Sequence, residues 1–287
     1  MEKNNVGILT FETYHGRKDV GSSRIRGHWL VKHWPGAELF KMGQKYDVVI
    51  YQKAYWVEHA REFKGVKILD ICDPDFLDWR YRTKEMIEEV DAITTSSEAL
   101  AEIISKFTDK PVKYIPDRVD LEFYRGRKCH AGIAKWVVWF GYNTGFEILK
   151  PVLHFLKKYN LGLIVISDIG FCMPSAFVDY IELKNFTWNI ETVNQDIMSG
   201  DIVINPQSKT GKWKYKSLNK TYAAWALGMP VAHDVEELER FLDPIKRQEE
   251  SALRLKEIKE KYDVRVSVDE FKKLISEINI SKQDKNI

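Results

Sequence analysis

Cysteine is scarce in this 287-residue chain: Cys72, Cys129 and Cys172 are odd in number, far apart and form no C-x-x-C pair. That excludes a disulfide framework or a cysteine zinc site and favours a reducing compartment. Long apolar runs are missing too. Nothing approaches the ~20 consecutive apolar residues of a membrane span, and the opening MEKNNVGILTF is too short an apolar stretch for a secretion signal. The expectation is a cytoplasmic protein, with peripheral membrane contact left open. Charge of one sign is also absent, since 44 basic and 42 acidic residues leave a net +2. Binding to nucleic acid through bulk charge is therefore disfavoured, although a local basic patch fits inside that balance. Finally, Gly16, Gly21 and Gly27 are spaced too widely for a G-x-G-x-x-G turn, which removes the dinucleotide fingerprint.

What remains is the composition of a globular protein, 44% hydrophobic and 30% charged. Thirteen per cent is aromatic, with nine Trp, which reads first as core packing. Short apolar runs alternate with amphipathic stretches, the pattern of parallel sheets covered by helices. Strands are predicted at Val6 to Phe11, Glu38 to Phe40, Asp47 to Tyr51, Val66 to Ile71, Ala92 to Ser96 and Val112 to Pro116. Helices begin near Ser22, Tyr55, Thr83 and Ser97. The polar stretch RGRKCHAGIAK after Tyr124 reads as an interdomain linker. The pattern then restarts with strands at Trp136 to Phe140, Leu163 to Ser167, Asp201 to Pro206 and MPVAH, and helices over Phe146 to Tyr159 and about Leu218 to Leu227. Charged amphipathic helices fill Glu236 to Ile280. The expected class is α/β: two Rossmann-like domains, 1–127 and 128–287, facing across a cleft, with C-terminal helices packing back. Ligands of such sheets bind at the carboxyl ends of the strands.

Four stretches carry candidate chemistry. In ETYHGRKDVGSSRIRGHW, Ser22 and Ser23 open a helix whose free N–H groups favour an anion, and Arg24 and Arg26 add positive charge. The same residues also read as an ordinary helix cap with exposed arginines. His15 in that loop is placed to take a proton from an acceptor hydroxyl. In ILDICDPDFLDW, Asp70, Asp73, Asp75 and Asp78 cluster after a strand. The Asp73–Asp75 D-x-D can hold Mg²⁺ against a diphosphate, but hydroxyl binding or loop structure explains it better, and no metal is expected. In WFGYNTGF, Gly141 turns the backbone, while Asn143 and Thr144 offer side chains to a phosphate or to a helix cap. In GKWKYKSLNKTYAAWALGMPVA, Lys216 and Lys220 are spaced to share a helical face, with Ser217 and Asn219 between. Two amines there can neutralise a leaving diphosphate.

In order along the chain, SSRIR, YDVVIYQKAY, VKILDICDPDF, VKYIPDRVDLEFY, VVWFGYNTGFEILKPVL and GDIVINP…KYKSLNKTYAAWALGMPV resemble the motif series of GT-B glycosyltransferases, specifically those similar to glycosyltransferase family 4. The resemblance implies a nucleotide-diphosphate sugar donor held by the C-terminal domain and a hydroxyl acceptor held by the N-terminal one. It further implies retention of anomeric configuration and no bound metal or other cofactor. Lys216 and Lys220, with Thr144 and the amides after Gly141, would stabilise the leaving diphosphate; were the reaction to invert, His15 or Asp73 would be the base. The chain departs from the family in three places. The E-x7-E pair is missing, its positions falling near Tyr215 and Ala223; IPDRVD replaces I-P-N-G-V-D; and no Arg/Lys pair follows Gly141. Two other readings are a catalytically inactive nucleotide- or sugar-binding relative, and a transferase acting on modified DNA bases.

Overall fold

Six parallel strands form the first sheet: β1 (Val6–Leu9), β2 (Ala37–Leu39), β3 (Val48–Gln52), β4 (Val66–Ile71), β5 (Ala92–Thr95) and β6 (Val112–Tyr114), in the order β2-β1-β3-β4-β5-β6. The computed structural model that shows this describes residues 5–207 and 210–284. β3 and β1 are buried along their whole lengths, as strands covered by helices on both faces must be, and so they read as apolar runs up to Gln52 at the end of β3. Register follows from that burial: Val6 pairs with Val48, Ile50 with Ile68 and Leu69 with Ile93. The order reverses between β1 and β3, so the loops leaving these strands part from each other and open a crevice at their carboxyl ends.

The second sheet is also parallel: β7 (Trp136–Phe140), β8 (Gly162–Ser167), β9 (Leu183–Thr187), β10 (Ile202–Ile204) and β11 (Val231–Ala232), in the order β11-β10-β7-β8-β9. Its reversal lies between β7 and β10, which places Gly141 and Asn205 at a second switch point. Both sheets agree with the expected α/β class. β9 was not predicted. It is an edge strand, exposed from Lys184 to Thr187, and its sequence LKNFT lacks the apolar run that marks its buried neighbours. The expected helix over Phe146 to Tyr159 is a 3₁₀ stretch, Asn143–Leu149, followed by an α-helix, Lys150–Lys158. Pro151 suits the first turn of the latter because no partner is needed there for its missing N–H.

The division of the chain departs from the expected 1–127 and 128–287. The first unit runs to Asp120 and adds Lys214–Leu218 and the chain from Tyr262; the second holds Leu121–Trp213 and Asn219–Lys261. Two features bring the tail to the first unit. Val119 bridges Asp263 in parallel, and Arg118 donates to Glu270 at 2.6 Å and to Ser267 at 3.0 Å. Phe271 of the last helix, Val264–Asp284, then packs beside Trp34. Arg118, one of the two departures in IPDRVD, is thus the anchor of that helix. The predicted linker is likewise fixed to the second unit: the Lys128 amide bonds Leu227 O at 2.9 Å, Arg127 bonds Ala226 O at 2.7 Å, and His130 Nε2 meets Gly228 O at 2.8 Å. Among the described residues no helix is long and apolar enough to cross a membrane.

Candidate functional site

In the first unit the arginine of the SSRIR stretch turns inward. Arg26 is 3% exposed, and its guanidinium forms a fork on Asp70 at 2.5 and 2.7 Å while bonding Asp117 and Ile115 O at 2.8 Å. Thr94 donates to Asp70 at 2.6 Å and Ser217 to Asp117 at 2.6 Å. Ser23 is buried as well: its hydroxyl accepts from the Glu12 amide and donates to Gln52, which also accepts the Phe11 amide. Ser22 and Arg24 are only half-buried. Ser23, Arg26 and Asp70 therefore tie the loop after β1 to β3, β4 and the chain after β6, and no charge in this group is left over to meet a ligand by itself.

The polar groups that gather at the carboxyl ends of β3 and β4 are different ones. Lys53 Nζ lies 2.6 Å from Asp73 Oδ2 and 3.6 Å from Asp75 Oδ2. Lys216 Nζ takes the other Asp73 oxygen at 2.5 Å, and the Tyr55 hydroxyl donates to Asp75 at 2.7 Å. The Lys53 ammonium also stands 5.0 Å from the centre of the Phe11 ring, against which His15 packs at 4.3 Å. His15, Asp73 and Asp75 thus belong to one neighbourhood. Lys53 holds φ at +51°, a left-handed backbone that a lysine adopts only under constraint, and such strain is concentrated at functional sites.

Electrostatics separates the two carboxylates. Burial acts to raise Asp73, but Lys53 and Lys216 outweigh it and hold the group below the usual carboxylate range. Burial wins at Asp75, which is pushed up to about 6 against the pull of Lys53 and Tyr55. His15 is lowered, first by partial burial and then by Arg17 and Lys53, so it is neutral near pH 7.

A native pKa of about 6 at Asp75 exceeds the unfolded value of about 3.9, so the native state binds this proton more tightly. The stability it contributes is complete below about pH 4 and lost as pH rises through about 6. Asp75→Asn should therefore match the parent at pH 4 and exceed its stability at pH 8 by on the order of 2 kcal/mol. Urea titrations at the two pH values measure this; an equal loss at both would show that the bonds to Lys53 and Tyr55 outweigh desolvation.

In the second unit, Gly141 ends β7 with φ +150°, and a Cβ there would fall 2.3 Å from Lys220 Nζ. The bare glycine lets the ammonium lie on the backbone, 4.7 Å from the centre of the Trp139 ring. Asp168 after β8 accepts from the Asn143 amide at 2.8 Å, from the Asn143 side chain at 3.1 Å and from Ser167 at 2.8 Å, which fixes the turn. Thr144 is exposed on it.

The two lysines do not share a helical face. The helix begins at Asn219 and runs to Ala226, so Lys216 precedes it. Lys216 and Ser217 belong to the first unit, whereas Asn219 and Lys220 belong to the second. Sequence reading passed over Lys53, Tyr55, Asp168, Asn205 and His233. Their signal was positional, since each directly follows a buried strand or lies within three residues of its end.

No family model matches the sequence, and no curated protein matches it. Solved structures do. T4 phage BGT in complex with its UDP-glucose substrate superposes with a TM-score of 0.58 at 11% identity, over 94% of this chain and 99% of that one. Anabaena HepE in complex with UDP gives 0.60 at 11% identity, over 98% and 99%. TarM gives 0.61 at 13% identity over 79% of this chain, which spans about half (54%) of TarM. Likeness at this level of identity speaks to architecture: the chain has the two-sheet α/β fold of the GT-B glycosyltransferases.

Proposed function

We propose that this protein is a glycosyltransferase that moves a sugar from a nucleotide-diphosphate donor to a hydroxyl acceptor, without a bound metal and with retention at the anomeric carbon. The observation that carries the reading is Lys220 seated on the bare backbone of Gly141, at the switch point of the second sheet. As the glycosidic C–O bond breaks, negative charge grows on the leaving diphosphate, and a fixed ammonium beside it lowers that barrier. Asn143, Thr144 and Asn219 flank it. The two neighbours with UDP-glucose and UDP support a uridine donor by analogy.

In this reading the acceptor is held by the first unit, where Asp73, Asp75, Lys53, Tyr55 and His15 converge. Lys216 serves there, as the partner of Asp73. Metal independence is supported by charge: the D-x-D carboxylates already face two lysine ammoniums and the Tyr55 hydroxyl. One observation favours a second reading, inversion with Asp75 as base, because a carboxyl near 6 is suited to accept a hydroxyl proton at neutral pH. The anomer of the product decides between them.

A panel of UDP, GDP, ADP and CMP tests the donor. At 100-fold excess over Kd the matching nucleotide stabilises the fold by about 2.7 kcal/mol, visible as a higher Tm, and its sugar conjugate should be turned over. Stabilisation without turnover would mark a binding relative, and no response to any nucleotide would overturn the proposal.

A further inference from the structure

Within the second unit, two buried and two half-buried polar side chains form a chain that donor chemistry does not by itself require. Asn205 Nδ2 lies 3.0 Å from Thr221 Oγ1, which lies 3.1 Å from His233 Nε2. His233 Nδ1 lies 3.1 Å from Glu237 Oε2, and the same oxygen accepts the His233 amide at 2.7 Å. The direction of the chain follows from its ends. A carboxylate only accepts, so His233 donates from Nδ1. Thr221 is fully buried, so its hydroxyl proton needs an acceptor, and the bare Nε2 provides one. The Thr221 oxygen then accepts from Asn205, whose own amide is held by Ala232 O at 2.9 Å.

We propose that His233 is a positioning residue for Lys220, acting through Thr221. This rests on the reading of Lys220 as the diphosphate ligand. Thr221 directly follows Lys220 on the helix Asn219–Ala226, and adjacent residues project about 100° apart. Fixing the Thr221 hydroxyl to the ends of β10 and β11 therefore fixes the helix about its axis, and with it the direction in which Lys220 reaches Gly141. Helix capping accounts for part of the chain only. Asp234 accepts the Glu237 amide at 2.8 Å, as a cap should, but capping calls for neither the His233 ring nor Thr221 nor Asn205.

Thr221→Val removes the hydroxyl at nearly constant volume, Thr221→Ser restores it, and His233→Ala removes the ring. The first readout needs no nucleotide: reductive methylation of the intact protein, with the Lys220 peptide followed by mass spectrometry. Thr221→Val and His233→Ala should each change the Lys220 labelling rate at least about 3-fold, and Thr221→Ser should not; unchanged rates in proteins of native circular dichroism overturn the proposal. The second is calorimetric binding of the nucleoside diphosphate that stabilises the parent. Thr221→Val should weaken it about 10-fold, and the loss should vanish in a Lys220→Met background. Equal losses in both backgrounds would overturn action through Lys220. Failure of every nucleotide to bind the parent would overturn the donor reading, while the labelling rates still decide the positioning role.

Discussion

Gly141→Ala should lower turnover of the nucleotide sugar about 100-fold or more, the scale of losing one preorganised charge at a developing oxyanion. The added methyl would meet Lys220 Nζ at 2.3 Å, Lys220 Cε at 2.8 Å and Trp139 at 3.3 Å. A lysine end can swing away, so the fold survives while the ammonium leaves its seat. The φ of +150° adds backbone strain of about 1–3 kcal/mol. Lys220→Met should reproduce the loss without that strain, and the double variant should be no slower than either single one. In the proposed reaction the fall should be in kcat more than in KM, because the charge that Lys220 would meet is greatest as the bond breaks. Steady-state kinetics on the donor identified by the nucleotide panel measures all three. Full activity in Gly141→Ala would remove Lys220 from the reaction.

The second large effect falls on stability. Arg26→Met should cost about 3–5 kcal/mol, because it leaves buried carboxylates without their counter-charge. Asp70 is 0% exposed and Asp117 7%, so water cannot replace the guanidinium. Thr94 donates to Asp70 and Ser217 to Asp117, but neutral hydroxyls do not replace a counter-charge in a dry site. Burial already raises Asp117 against the pull of Arg26, and removing the arginine would drive that group further toward its neutral form. The damage should therefore shrink at acid pH, where Asp117 takes up its proton. Urea unfolding at pH 8 and pH 5 tests both statements. An arginine whose main work was to hold the acceptor would instead lose activity at unchanged stability.

These expectations show where sequence is legible and where it is not. Val66–Ile71 and Trp136–Phe140 were read to the residue because strands covered on both faces are mostly apolar, with Lys67 and Asp70 the exceptions here. β9 escaped because an edge strand faces solvent. Asp73 and Lys216 were each recognised as reactive, yet their pairing spans 143 positions and local spacing cannot reveal it. The same limit applied to Arg26: a charged residue at a helix start looks like an anion ligand until Asp70 and Asp117 are seen around it. Lys216 and Lys220 misled for the converse reason. Their spacing fits one helical face, but Tyr215 O is held by Ser97 and Ser217 by Asp117, so the helix starts only at Asn219.

The first unit is closed by the last helix of the chain, and this orders events during synthesis. While the ribosome still holds residues 262–287, β1 to β6 can pair, but Arg118 lacks Glu270 and Trp34 lacks Phe271. The second unit, complete by Lys261, can mature earlier although it is encoded later than most of the first. Maturation of the first unit thus waits for the helix Val264–Asp284 to be made, although most of that unit is synthesised first.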